Sequence, residues 1–238
     1  MRRFMNPMTL IVLALMFVTS FTGGRYDSPM DWIMEKLMIL PAILIGLSIH
    51  EWGHAFVAYK LGDNTPKYQG RVTLNPMSHV DPMGFICLFF IGCGWGVPVE
   101  INPRNFKNPR RDELLVSVAG VVMNFIVAAV FMGLLRLLFA VAPEMMLYGT
   151  MGEVLVDLML NIVFINLVLM VFNLLPIPPL DGFNIVTELF RLRRYEWWYK
   201  LYQNGFLILI IAILFNVTDK VLTPVITAIY TMLYGIFF

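Results

Sequence analysis

Charge and cysteine are both scarce in this chain of 238 residues. Charged residues make up 14% of it and hydrophobic residues 59%, whereas ordinary soluble domains carry about 25% charged residues. The net charge of +1, without any run rich in lysine and arginine, argues against nucleic acid as a partner. The two cysteines, Cys87 and Cys93, are too few for a disulfide framework or a cysteine-rich zinc site. This composition is typical of an integral membrane protein.

The hydrophobic residues collect in six segments, most of them close to the roughly 20 residues that a membrane-spanning helix requires. The segments cover about 7–22, 37–60, 114–140, 153–175, 204–217 and 221–238. We therefore predict an all-α polytopic membrane protein with about six transmembrane helices. Arg2 and Arg3 also fit a signal peptide, but residues 17–24 lack a small-x-small cleavage site, which favours a retained first span.

Lysine and arginine are distributed unevenly between the connections. Those after the second and fourth spans contain Lys60, Lys67, Arg71, Arg104, Lys107, Arg110, Arg111, Arg191, Arg193, Arg194 and Lys200. By the positive-inside rule these connections are cytoplasmic, which places both termini in the cytoplasm. We expect a bacterial-type cell membrane, with any site near the end of the second span close to its cytoplasmic face.

The second span contains the motif His50-Glu51-Trp52-Gly53-His54. Residues four apart share one face of a helix, so His50 and His54 can bind one metal ion, and Glu51 can serve as a general base beside it. Ionisable side chains inside a membrane are costly, and a bound metal offsets that cost. The pattern predicts a zinc site inside the membrane.

A catalytic zinc takes three protein ligands, so the motif needs a third. One candidate is His79, in a loop with two prolines. The other is Asp181, which closes a proline-rich run, residues 173–182, at the end of the fourth span. Such irregular backbone is tolerated at membrane depth only beside protein or a water-filled cavity, which favours Asp181.

Because the motif at 50–54 is followed by the proline-rich run 173–182, the chain resembles the site-2 protease family of intramembrane zinc metalloproteases. The resemblance covers about residues 37–190 and departs at Val121, where members often have proline. It implies that His50, His54 and Asp181 bind one Zn²⁺ per chain and that Glu51 is the general base and acid. It also implies that Asn173 positions the substrate or stabilises the oxyanion.

The resemblance further implies one membrane-embedded metalloprotease domain over residues 1–238, with no PDZ domain and no nucleotide-sensing CBS domain. Its core would cover about 37–190, between an N-terminal span in 1–36 and C-terminal spans in 191–238. We expect spans two, three and four to form a three-helix catalytic core. Residues 70–74 and 85–101 look like the family's small membrane-associated β-hairpin. The expected partners are a membrane-spanning protein substrate, the lipid bilayer and a regulatory membrane protein.

Several polar residues also have simpler interpretations. Asp181 could cap a helix that begins at Phe183, and Asn173 could only bond a neighbouring helix. Asn124 is either an accessory residue of the site or a residue that only bonds neighbouring helices. His79 is either an accessory residue of the site or part of a turn. The predicted activity is hydrolysis of peptide bonds within or near transmembrane segments of membrane proteins. The alternatives are a catalytically silent membrane scaffold and a metal-binding transporter.

Overall fold

A computed structural model describes Tyr26 and residues 28–91 and 96–238. The predicted first span, about residues 7–22, lies outside this described part, and so does Cys93. The described chain is mainly helical. Its helices are α1 (Pro29–Lys60), α2 (Thr65–Tyr68), α3 (Pro82–Ile91), α4 (Pro109–Val141), α5 (Pro143–Tyr148), α6 (Thr150–Asn173), α7 (Asp181–Phe190), α8 (Glu196–Leu214) and α9 (Val217–Phe237).

Five of these helices are long and apolar enough to cross a membrane: α1, α4, α6, α8 and α9. They correspond to the second through sixth predicted spans. The fifth predicted segment, 204–217, is only 14 residues long, but α8 begins earlier, at Glu196, and so reaches 19 residues. The prediction of an all-α membrane protein is confirmed for the described part of the chain, and six spans in total stays a prediction.

Helices α1, α4 and α6 each pack against the other two and form the core of the protein. Small residues allow the close approach. A Cβ atom on Gly46 of α1 would lie 2.7 Å from the Leu169 side chain of α6. One on Gly53 would lie 2.9 Å from Met123 and 3.2 Å from the Ala119 carbonyl oxygen, both in α4. The three-helix core is therefore as predicted.

The two C-terminal helices cover the core on the side of α4 and α6. Leu209 of α8 and Leu222 of α9 are buried in one apolar cluster with Leu167 of α6. Helix α8 also contacts the proline-rich connection before α7, since a Cβ on Gly205 would lie 2.7 Å from the Pro178 carbonyl oxygen. Thus α8 supports the segment that leads to Asp181.

The predicted β-hairpin is wrong for the residues that the structure describes. Residues 85–91 belong to α3, residues 70–74 form turns and bends, and the described residues contain one isolated bridge, between Val80 and Gly96. The reason is local. The Asp81 carboxylate accepts a hydrogen bond of 2.7 Å from the Gly84 amide at the start of α3, and Pro82 occupies the first helical position. The apolar run that follows does not alternate as a half-buried strand would.

Candidate metal centre

Helix α1 presents two imidazole rings on one face. His50 and His54, one turn apart, are both buried, with relative exposures of 5% and 8%. Their Nε2 atoms are 3.0 Å apart and the rings meet edge to face. Four-residue spacing on a helix produces this arrangement, so both Nε2 atoms face the same point.

The third group is Asp181, the first residue of α7. Its Oδ2 atom lies 3.1 Å from His50 Nε2 and 3.2 Å from His54 Nε2. Leu180 occupies the N-cap position of α7 and the Asp181 side chain makes no capping bond, so the carboxylate is turned to the histidines. Gly182 permits this turn, because a Cβ there would lie 2.6 Å from the Leu175 carbonyl oxygen.

The hydrogen bonds of the two Nδ1 atoms determine which nitrogen of each histidine can bind a metal ion. His50 Nδ1 lies 2.6 Å from Asn124 Oδ1, and His54 Nδ1 lies 2.7 Å from the Val116 carbonyl oxygen. Both oxygens accept hydrogen bonds, so each Nδ1 carries the proton and each Nε2 presents a lone pair. Second-layer contacts of this kind fix the tautomer and orientation of metal-binding histidines.

With each Nδ1 directed to an oxygen, three possible ligand atoms converge: the two Nε2 atoms and Asp181 Oδ2. Asp181 Oδ2 is buried and receives no hydrogen bond in the described structure. Two neutral imidazoles and a carboxylate within 4.8 Å of one another suit a cation. Two histidines and one carboxylate are also a ligand set of catalytic zinc that leaves a position open.

A glycine of α4 leaves room for the two histidine rings. A Cβ on Gly120 would lie 2.5 Å from His54 Nε2 and 2.7 Å from His50 Cε1. A larger residue would therefore displace the two rings. The sequence marks Gly120 only as a small residue, and the structure shows that its missing side chain shapes the site.

Glu51 lies next to the site but turns to a different partner. It is half-buried, and its Oε2 accepts a hydrogen bond of 3.1 Å from the Val99 amide. Val99 belongs to the irregular residues 97–101. This segment is held at one end by Val97, whose amide donates to the His79 carbonyl oxygen at 2.7 Å. The backbone thus orients the carboxylate of Glu51.

Asp63 fixes the other end of that segment. It is fully buried, and its carboxylate accepts hydrogen bonds from the Asn102 amide at 2.7 Å, the Asn105 side chain at 2.7 Å and the Thr65 hydroxyl at 2.6 Å. Burial raises the pKa of Asp63, but these hydrogen bonds outweigh it and hold the pKa below the ordinary 3.8. The ionised carboxylate therefore ties the end of α1 to the segment beside Glu51.

The remaining predicted residues lie in three different settings. Asn124 contacts His50 directly. Asn173 is half-buried, and its amide donates to the Leu169 carbonyl oxygen of its own helix at 2.9 Å, so its role toward substrate stays a prediction. His79 is fully buried with Nε2 2.8 Å from the Thr73 carbonyl oxygen, and it lies outside the metal-binding group.

Three contacts were not predicted from the sequence. The Val116 carbonyl oxygen and the Val99 amide are backbone atoms, which no residue type reveals. Asn166 of α6 did carry a signal, because an amide side chain in an apolar span needs a partner. It is fully buried and bonds Asn124 at 2.9 Å.

Comparison with known proteins identifies the family. Residues 143–217 match the family model described as Peptidase family M50. The chain is 45% identical over 158 residues to a candidate zinc metalloprotease, YwhC of Bacillus subtilis (strain 168), covering 66% of this chain and 70% of that protein. It is 31% identical over 187 residues to another, Rip2 of Mycobacterium tuberculosis (strain H37Rv), covering 75% of this chain and 68% of that protein.

The chain belongs to peptidase family M50, the site-2 protease family. No solved structure matches it significantly. As a member of family M50 it is an integral membrane metalloprotease with zinc as its metal. Among the residues that the structure describes, His50, His54 and Asp181 form the group that can hold the ion.

Proposed function

We propose that this M50 protein hydrolyses peptide bonds within or near transmembrane segments of membrane proteins. One observation carries the proposal: two of the three residues of the metal-binding group lie on α1, a helix long and apolar enough to span the membrane. His54 and His50 precede the Lys60 end of α1 by 6 and 10 residues. At 1.5 Å per residue the site is roughly 9–15 Å from that end, a depth that membrane-spanning segments of a substrate can reach.

Each residue of the site has a proposed role. His50, His54 and Asp181 would hold the zinc, which would supply Lewis-acid polarisation of the scissile carbonyl and activation of a water molecule. Glu51 takes a proton from the attacking water and returns it to the leaving amine. Asn173, at the end of α6, is the proposed donor to the oxyanion.

The test is to compare Glu51→Gln with wild type for cleavage of a reconstituted single-span test substrate, with zinc content measured in both. We expect Glu51→Gln to retain zinc and to cleave about 10²- to 10⁴-fold more slowly. Glu100→Gln is the matched control, because Glu100 is an exposed glutamate in residues 97–101, the segment that bonds Glu51, and accepts a hydrogen bond of 2.8 Å from the Gln69 side chain. Equal cleavage by Glu51→Gln and wild type would remove Glu51 from the mechanism.

We also propose that the metal centre is near the cytoplasmic face of a bacterial-type cell membrane, with both termini cytoplasmic. The two basic connections meet at one end of the bundle: Arg110, at the start of α4, donates to the Glu188 and Leu189 carbonyl oxygens at 2.6 and 2.8 Å. Arg193 pairs there with Glu113 and Glu188. Positive residues gathered at one end support a cytoplasmic position for that end.

Labelling of cysteines introduced into the exposed positions Tyr68 and Tyr148 tests this orientation. Tyr68 follows α1 on the basic side, and Tyr148 ends α5 on the opposite side. A membrane-impermeant reagent added to whole cells should label only the cysteine at 148, and the reverse pattern would overturn the orientation. The substrate we expect is a membrane-spanning protein in the same bilayer, with access controlled by a regulatory membrane partner.

A further inference from the structure

We infer that Asn166 is a positioning residue that acts through Asn124 to hold His50 in the tautomer that offers Nε2 to zinc. Both asparagines are fully buried, on α6 and α4 respectively, and with His50 on α1 they connect the three core helices. The inference rests on the proposed function, in particular on zinc held by His50, His54 and Asp181. It adds a residue that makes no hydrogen bond to any of these three ligands in the described structure.

The amide orientation of Asn124 is fixed by a backbone carbonyl. Asn124 Nδ2 lies 3.1 Å from the Gly46 carbonyl oxygen, which can only accept a hydrogen bond. The nitrogen must therefore face Gly46, and Oδ1 must be the atom 2.6 Å from His50 Nδ1. An amide flipped the other way would place two oxygens against each other.

Asn166 is fixed in the same way by its own helix. Its Nδ2 donates to the Ile162 carbonyl oxygen at 2.8 Å, which leaves Oδ1 to accept the second N–H of Asn124 at 2.9 Å. Asn124 thereby uses both of its N–H groups and its oxygen. Because a buried unpaired N–H group is unfavourable, removing the Asn166 acceptor favours rotation of the Asn124 amide away from His50.

The two histidines differ in how they depend on side chains. His54 Nδ1 bonds a backbone oxygen, that of Val116, which no substitution of a side chain removes. His50 Nδ1 bonds only the Asn124 side chain in the described structure. The tautomer of His50 is therefore the one that the asparagine pair controls.

The test is a double-mutant cycle in zinc affinity on the full chain in detergent. Asn124→Leu, Asn166→Leu and the double variant are titrated with zinc against a chromophoric chelator, and the visible spectrum of bound Co²⁺ reports the ligand geometry. We expect Asn124→Leu to weaken zinc binding about 10- to 100-fold and Asn166→Leu on the order of tenfold. In the double variant, the loss should equal that of Asn124→Leu alone, because Asn166 acts through Asn124.

Two results would overturn the inference: wild-type zinc affinity in Asn166→Leu, or losses that multiply in the double variant, which would indicate a general packing effect. Asn161→Leu is the matched control, since Asn161 lies on the same helix and is only half-buried. If a leucine variant does not unfold cooperatively, the cycle is run with alanine at both positions. Failure of wild type to bind one zinc per chain would instead reject the proposed function.

Discussion

Gly120 of α4 lies against His50 and His54, the proposed zinc ligands, and Gly120→Ala is the sharpest test of the site geometry. The added Cβ would be 2.5 Å from His54 Nε2, roughly 1 Å short of the usual 3.5–4.0 Å between non-bonded atoms. Metal–ligand distances tolerate only about 0.2 Å of deviation. The displaced imidazole can therefore no longer bind the ion at its normal distance.

The size of the effect follows from overpacking, which costs about 1–3 kcal/mol in a close-packed interior. If this cost falls on the loaded site, zinc affinity drops roughly 5- to 150-fold, since about 1.4 kcal/mol corresponds to tenfold. Helix propensity acts in the opposite direction, because alanine is better than glycine by about 0.8–1.0 kcal/mol in a helix interior. Because this gain is the same with and without zinc, while the overpacking cost falls on the loaded site, the metal-free variant should lose less stability than the zinc-bound one.

Zinc competition in detergent, together with thermal unfolding with and without zinc, measures both quantities. The matched control is Gly235→Ala, because a Cβ on Gly235 of α9 would meet nothing within 4 Å. We expect that variant to bind zinc normally and to be equal to wild type or slightly more stable. Wild-type zinc affinity in Gly120→Ala would refute the arrangement of α4 against the two histidines.

Three further substitutions test how the site is supported. Asp63→Asn should lower the free energy of unfolding by about 1.5–3 kcal/mol at neutral pH. The ionised Asp63 contributes its full stabilisation above the pKa it has in the unfolded chain, and this contribution is lost as pH falls through the lowered pKa of the folded state. The difference in free energy of unfolding between Asp63→Asn and wild type should therefore shrink as pH falls, and a constant difference would contradict the prediction. Arg193→Met should cost about 1–2 kcal/mol, because Arg193 is 47% exposed and water screens part of the loss. Burial raises the pKa of Glu188, so the free energy of unfolding of Arg193→Met should rise toward the wild-type value as pH falls through that pKa. Chemical unfolding that shows no such recovery would count against the pairing of Arg193 with Glu188. Gly205→Ala should displace Pro178 and weaken zinc binding, and unchanged affinity would show that α8 does not support the loop.

Much of the site was predictable because its chemistry is local. The four-residue spacing of His50 and His54 fixes a shared helix face, and the structure brings their Nε2 atoms within 3.0 Å. Asp181 was favoured over His79 as third ligand because prolines break the chain beside it, and the structure places its carboxylate against both histidines. The five described spans also follow the apolar segments, since lipid demands long apolar helices.

The prediction of a β-hairpin was wrong because a uniformly apolar segment does not reveal its secondary structure. When every residue of a short run is apolar, periodicity cannot separate a helix from a buried strand. Residues 85–91 form such a run, and the decision fell to its start, where Asp81 bonds the Gly84 amide and Pro82 fits the first helical position. The signal that mattered was the helix start rather than the run itself.

The rotation of each helix about its own axis, which decides the face that packs against the core, is the other property of a membrane protein that a single sequence leaves open. Lipid accepts apolar side chains on every face, so the apolar residues of α4 and α6 do not mark which side faces the core, and polar residues alone carry that information. Asn161 and Asn166 of α6 give the same sequence signal, yet Asn161 is half-buried while Asn166 is fully buried and bonds Asn124. Only packing against a partner distinguishes them. For that reason the role of Asn166 had to come from the structure, whereas Asn124 and the proposed zinc ligands could be named from the sequence.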